Sequence, residues 1–307
     1  MPSAHDDPIP LMDDEYEYQT SSTESIIMET LNSLTSSQLS HLTNSLSSFF
    51  HLLHRRLHSI LSVPTLFSLT LHHLQSLSLK GKSLLIARHL VSNLTILAQT
   101  ASSSLNNKNN NNNFNSSMKL RDVDALLLLL LLCELRQIYP EILRIHPTSY
   151  WRAVLLNYYS SNNLLKLSEI QVSSAGILIK FVDMVKKCKR FVNLMRSNYE
   201  ASDGGGRKER MEVATSVAIV VALPSVEVSR GEEGRECVIC KEEMKEGRDV
   251  CKLPCDHLFH WMCILPWLSK RNTCPCCRHR LPTDDVFAEI DRLWDVLAKK
   301  VGTGNLI

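Results

Sequence analysis

From Thr30 to Arg121 the 307-residue chain contains no carboxylate at all. Helices in this stretch gain nothing from glutamate–lysine pairs one turn apart and must depend on packing. Charge of one sign is also missing overall: 34 Lys+Arg against 32 Asp+Glu leave +2, which excludes a polybasic binder of nucleic acid or membrane. Aromatic residues are thin at 6%, within an otherwise ordinary 44% of hydrophobic residues. No apolar run is long. The most apolar stretch, Ala125 to Cys133, holds seven consecutive leucines but is closed by Asp124 and Glu134, and a bilayer-spanning helix needs about 20 apolar residues. No transmembrane segment is therefore expected. The amino terminus is acidic (Asp6, Asp7, Asp13, Asp14, Glu15, Glu17), the reverse of a basic-then-apolar leader, so secretion is not expected. Cysteine is nearly absent outside one short segment, since eight of the ten fall between Cys237 and Cys277. In a chain that is not secreted, such a cluster reads as metal ligands before it reads as disulfides.

A chain of this length makes one large domain or two modest ones. Residues 1–22 are polar, acidic and proline-bearing, the composition of a disordered tail. Residues 23–200 carry helical periodicity. Leu31, Leu34, Leu42 and Leu46 recur at that spacing, as do Phe49, Phe50, Leu53, Leu57 and Ile60. Pro64 and Gly81 divide the first part into roughly three helices. Further helices are expected at the leucine run, at Ser149 to Tyr159 and at Gly176 to Met195. In the last, Ile177, Phe181, Met184, Val185, Cys188, Val192 and Met195 share a face. A helical bundle accounts for all of this. An asparagine-rich tract, 106–115, interrupts it as a loop with too little apolar surface to order. Residues 201–236 read as linker around a short apolar run, Val217 to Leu223, that suits a strand or a docking segment.

The cysteine cluster parses into four pairs: Cys237-x2-Cys240, Cys255-x-His257, His260-x2-Cys263 and Cys274-x2-Cys277. A Cys-x2-Cys knuckle lets both sulfurs reach one ion while backbone amides turn toward the thiolates. Eight ligands make two tetrahedral sites. Soft sulfur with borderline imidazole, in a closed shell with no carboxylate or open position, favours zinc in a structural role. Two structural Zn2+ ions are therefore expected. Cys251 and Cys276 fail the pair spacing and read as core or surface thiols, while Cys133 and Cys188 lie on apolar helical faces and read as packing residues.

On these four pairs, residues 237–278 resemble the RING finger family in its two-histidine form. The resemblance implies a small α+β cross-brace domain with interleaved ligands: Cys237, Cys240, His260 and Cys263 at one site, Cys255, His257, Cys274 and Cys277 at the other. Together with the upstream periodicity this makes a mainly α chain overall, with an N-terminal helical bundle, flexible linkers, the RING and a C-terminal helix over 283–300. The resemblance also implies an E3 ubiquitin-protein ligase, a transferase with no catalytic residue and no covalent ubiquitin intermediate. Its partners would be a ubiquitin-conjugating enzyme carrying ubiquitin and an unidentified protein substrate. Ile239, Trp267 and Pro275 match the family's apolar groove for the conjugating enzyme, and Leu253 and Pro254 sit beside them. Arg278 matches the cation that bridges conjugating enzyme and ubiquitin. Exposed isoleucine, tryptophan and proline suit a protein interface better than a phosphate backbone, so no nucleic acid is expected. The alternative is a RING-containing scaffold or dimerisation protein without ligase activity.

Phrases outside the zinc segment, among them Pro64 to Thr70, Met118 to Asp122, Cys188 to Val192, Val221 to Val228 and Leu281 to Phe287, resemble plant amyloplast-associated RING ligases of shoot gravitropism. That resemblance implies a plastid, specifically amyloplast, location with plastid-surface association; without it a cytoplasmic location is expected. After the RING, Thr283 is placed to cap a helix whose start carries Asp284 and Asp285, with Phe287, Ile290, Leu293, Trp294 and Leu297 on one stripe. Gly81-Lys82-Ser83 is no phosphate loop, because Ser76 stands where the first glycine is needed. The seven histidines between His41 and His89 lack acidic or thiol partners in sequence and read as solvated helix faces. The carboxylate-free span shares its composition with transit peptides but is internal and helix-patterned, and so reads as a folded, mildly basic surface.

Overall fold

The computed structural model describes residues 24–102, 118–161, 174–202, 212–228, 236–244 and 247–304. The acidic tail, the asparagine tract and the glycine-rich part of the linker lie outside them. The chain divides into two compact units, Met1–Tyr199 with Val296–Ile307, and Glu200–Asp295.

The first unit is helical: α1 (24–32), α2 (Ser36–Ser62), α3 (Pro64–Ser76), α4 (Leu79–Ser102), α5 (Leu120–Ile138), α6 (Ile142–Ile145), α7 (Thr148–Ser161) and α8 (Ser174–Ser202). Local chemistry sets the breaks. Thr35 and Gln38 form a reciprocal capping box at the start of α2, the Gln38 amide donating to Thr35 Oγ1 at 3.3 Å and the Thr35 amide to Gln38 Oε1 at 2.9 Å. Val63 is extended before Pro64, which takes the first helical position of α3, where its missing N–H costs nothing. The next break falls at Leu77 and Ser78, ahead of the expected Gly81: Ser78 Oγ accepts from the Gly81 amide at 3.1 Å, which caps α4 and places Gly81 in its first turn.

The leucine run forms the middle of α5, where Leu126, Leu127, Leu128, Leu131 and Leu135 are buried and α2, α3, α4 and α7 pack around the helix. Each leucine taken from water contributes about 1.5–3 kcal/mol. Burial in protein thus accounts for the run, and no described helix is long and apolar enough to cross a membrane. The helix α8 presents the expected face, with Phe181, Val185, Cys188 and Val192 buried. Burial raises the Cys188 thiol to about 12, which keeps it protonated and inert. Cys133, by contrast, is exposed, so the packing role expected for it does not hold.

Three of the seven histidines have partners on other helices of the unit, and one of them, His89, is buried. His89 is buried on α4, with Nε2 3.2 Å from Met184 Sδ and its ring stacked 6.0 Å from Phe49. His54 Nδ1 lies 2.5 Å from the Tyr159 hydroxyl, and His73 Nε2 lies 3.1 Å from Asp122 Oδ1. Only His41, His51, His58 and His72 are exposed.

The second unit contains α9 (Val217–Ala222), strands β1 (Ser225–Val228), β2 (Gly247–Lys252) and β3 (Leu258–His260), α10 (Trp261–Leu268) and the start of α11 (Val286–Gly304). The strands form one antiparallel sheet in the order β1-β2-β3, with Val226 opposite Val250 and Cys251 opposite Phe259. Val250, Leu253, Phe259, Ile264, Leu268 and Leu281 form its core, with Cys251 among them and Leu223 and Val228 joining from the upstream segment. The stretch read as linker is thus ordered over 212–228, with the Val217 run helical. The α11 helix is capped by Asp285, whose Oδ1 accepts from the Ala288 amide at 2.7 Å. Thr283 instead donates to the Ala214 carbonyl at 2.8 Å and accepts the Asp285 amide at 3.2 Å.

Desolvation holds His89 near pKa 4, below its ordinary 6.5. Between those values the unfolded chain binds a proton that the native state refuses, so stability is complete above pH 6.5 and falls as pH drops toward 4, by about 3 kcal/mol. Chemical denaturation of the full chain across pH 4 to 7 should show this slope, and His89→Phe should flatten it.

Candidate metal centre and protein interface

Two donor clusters are assembled in the second unit, and each takes one pair from each of two distant places in the sequence. Cys237, Cys240, His260 and Cys263 form one; Cys255, His257, Cys274 and Cys277 form the other. Within each, the donor atoms all lie within 4.8 Å of one another. Four donors about 2.3 Å from a central ion and tetrahedrally disposed have edges a little under 4 Å, so the spacing fits zinc. Cys240 Sγ lies 3.4 Å from His260 Nδ1, and Cys255 Sγ lies 3.4 Å from His257 Nδ1. The thiol and imidazole donor set, with the two clusters, fits two structural Zn2+ ions.

The first and last knuckles are built alike. The Lys241 amide donates back to the Cys237 carbonyl at 2.7 Å, and the Cys237 amide to the Glu242 carbonyl at 2.9 Å. The Arg278 amide likewise reaches the Cys274 carbonyl at 3.0 Å, and the Cys274 amide the His279 carbonyl at 2.9 Å. Each loop closes only because the residue after its second cysteine is left-handed, Lys241 at φ 61° and Arg278 at φ 59°. Asp256, between Cys255 and His257, has φ 64°. Each such non-glycine conformation costs roughly 1–2 kcal/mol and persists only where the surroundings impose it. The strand β3 ends at His260, and α10 carries Cys263 one turn on, so a strand-to-helix junction supplies the third pair.

The donor thiols are strongly perturbed. Burial first, and then the neighbouring thiols, push Cys255 and Cys263 up to about 12. Burial also raises Cys237, but backbone amides of His260, Cys240 and Ile239 outweigh it and bring the thiol down to about 7. Ligation requires these protons to leave, so metal affinity falls with falling pH.

Of the expected groove residues, Ile239 is 38% exposed, Trp267 and Pro275 are half-buried, and Arg278 is exposed. The Trp267 indole N–H donates to the Thr273 carbonyl at 2.7 Å. Leu253 is buried in the core, whereas Pro254 is exposed. Cys251 is buried in β2 and Cys276 is exposed, both outside the clusters. Sequence reasoning missed Arg271, whose guanidinium lies 4.7 Å from the centre of the Trp267 ring. It also missed Asn272, whose Nδ2 holds the Leu281 carbonyl at 3.0 Å. An arginine four residues after a tryptophan on a helix end was the available signal for the first.

The Ring finger domain family model matches residues 235–278. Across 280 residues, 89% of this chain and 95% of the relative, the sequence is 50% identical to the Arabidopsis thaliana protein named E3 ubiquitin-protein ligase SGR9, amyloplastic. Other similarities are shorter. The Xenopus laevis E3 ubiquitin-protein ligase RNF181 is 47% identical over 78 residues, 25% of this chain and half of the relative. Its Rattus norvegicus counterpart is 50% identical over 68 residues, 22% of this chain and 41% of the relative.

Metal analysis of the purified full chain should return about two zinc ions per molecule, and a strong chelator should remove both while abolishing the near-ultraviolet dichroism of the second unit. Cys274→Ser should lower the zinc content by at least one ion; retention of both would remove Cys274 from the ligand set.

Proposed function

The chain belongs to the RING-type E3 ubiquitin-protein ligases, and on that premise we propose that Cys237, Cys240, His260 and Cys263 hold one zinc ion and Cys255, His257, Cys274 and Cys277 the other. The rigid surface so formed, carrying Ile239, Trp267 and Pro275, docks a ubiquitin-conjugating enzyme charged with ubiquitin. The similarity over 95% of the length of a named E3 ligase carries this reading. The partial exposure of Ile239 beside a half-buried tryptophan supports the groove, because interface anchors are apolar or aromatic groups seated on a rigid support.

The chain's own residues act by position. Bound zinc supplies structural rigidity alone, with every ligand place taken by protein. Arg278, exposed on the left-handed turn that closes the last knuckle, extends a fixed cation toward ubiquitin. Holding the ubiquitin carboxyl-terminal tail in one orientation raises the frequency with which a substrate amine meets the thioester, an entropic and not an acid–base acceleration. His257 and His260 shuttle no proton, being committed to the metal. The helical unit selects the substrate or the location. An amyloplast location with association at the plastid surface is supported by the name of the Arabidopsis relative and by the carboxylate-free surface of α2, α3 and α4.

Purified full chain with ubiquitin, activating enzyme and a panel of conjugating enzymes should form ubiquitin chains on itself. Ile239→Ala and Trp267→Ala should each cut the rate by about tenfold or more through weaker conjugating-enzyme binding. Arg278→Ala should slow ubiquitin discharge while leaving that binding intact. Unchanged activity in both groove variants would refute the docking surface. A fluorescent fusion that stays diffuse in starch-storing plant cells would refute the location.

A further inference from the structure

The segment upstream of the zinc clusters is fastened to the edge of the proposed groove. The Thr215 amide donates to the Leu268 carbonyl at 2.9 Å, Thr215 Oγ1 donates to the Arg271 carbonyl at 3.1 Å, and the Ser216 amide donates to the Pro282 carbonyl at 2.9 Å. These bonds fix residue 212 beside Arg271. There Arg271 Nε donates to Glu212 Oε1 at 2.7 Å, and its terminal nitrogen bonds the same carboxylate. The guanidinium so held lies 4.7 Å from the centre of the Trp267 ring, while the indole N–H is anchored at the Thr273 carbonyl. Trp267 is thus gripped on its edge by a carbonyl and over its face by a cation, and that cation is oriented by a carboxylate from outside the zinc-binding segment.

We propose that Glu212 and Arg271 are positioning residues for conjugating-enzyme recruitment: Glu212 orients the Arg271 guanidinium over Trp267, and the stacked guanidinium holds the indole in its docking orientation. This deepens the groove reading and rests on it. An arginine left without its carboxylate stays charged but samples several rotamers, so the ring loses a fixed neighbour and must be ordered when the partner binds. An exposed ion pair adds little to folding stability, and both partners are substantially exposed, with side chains 43% and 50% accessible. Recruitment is therefore expected to respond where stability does not. Arg280 and Asp295, joined at 2.7 Å with side chains 37% and 54% accessible, form a comparable exposed ion pair in the same unit and serve as the control.

The test measures the affinity of the zinc-loaded full chain for the tightest-binding member of a conjugating-enzyme panel, together with melting temperature, zinc content and the Trp267 indole N–H resonance. Glu212→Gln and Arg271→Ala are each expected to weaken binding by about two- to fivefold. The double variant should be no weaker than Arg271→Ala alone, and Arg280→Ala should match the wild type. Melting temperature and zinc content should hold, and the indole resonance should move in the Glu212 variant. Wild-type affinity in both variants, with Trp267→Ala still impaired, overturns the positioning role and leaves the groove standing. Wild-type affinity in Trp267→Ala overturns both. Affinity losses that track a lowered melting temperature or lost zinc overturn the proposal by making Arg271 a structural residue.

Discussion

Everything in the second unit depends on bringing four donors to within a few ångströms of one point, twice over, from pairs that are not neighbours in sequence. No three-stranded sheet of this size buries enough apolar surface to stand alone, and small modules of this kind rely on metal binding for their folding free energy. The convergence also dictates the backbone around it. Lys241, Asp256 and Arg278 occupy left-handed conformations because the loops that present the donors close only that way. Burial, and after it the crowding of neighbouring thiols, raises Cys255 and Cys263. Ile239 and Pro275 lie inside the two matching knuckles, and Trp267 lies on the helix that carries Cys263, so the donor framework also fixes where these three side chains stand.

The first unit solves a different problem. Its helices α2, α3 and α4 have no carboxylate of their own, yet the void is answered from elsewhere in the same unit. Arg56 meets Asp124 with two hydrogen bonds, at 3.1 and 2.5 Å, and His73 meets Asp122 at 3.1 Å. The aspartates sit at the start of α5, the helix that α2, α3, α4 and α7 surround. Asp124 is nearly buried, so its pairing with Arg56 is what makes its position tolerable beside the leucine run. Further along, Lys187 reaches Glu134 at 3.4 Å and Lys186 reaches Glu24. Ion pairs between helices replace the pairs along a helix that the composition forbids.

Much of the site was legible because zinc chemistry writes itself as spacing. The four donor pairs are short-range patterns, and the two clusters form at the places those patterns named. The helical periodicity of α2, α5 and α8 was equally readable, since one buried face leaves a repeat of 3.6. Errors arose where a residue's role depends on what packs against it. The Val217 run, whose β-branched content suits a strand or a docking segment, is a short helix with its hydrogen bonds made locally between Ser216 and Leu223. Cys133 follows a run of leucines yet faces outward, and His89 looks like a surface histidine yet is sealed in the core.

The sequence by itself determined the metal, the donor count, the helical class of the amino-terminal unit and the exclusion of a spanning helix, because each follows from residue types at fixed local separations. Only the tertiary structure decided that residues 212–228 belong to the zinc-binding unit and that Glu212 and Arg271 meet over Trp267. Those facts join residues up to 69 positions apart. A pairing across such a distance leaves no periodic trace in the chain, since it is selected by shape and by the need to satisfy buried hydrogen bonds once the pieces have come together.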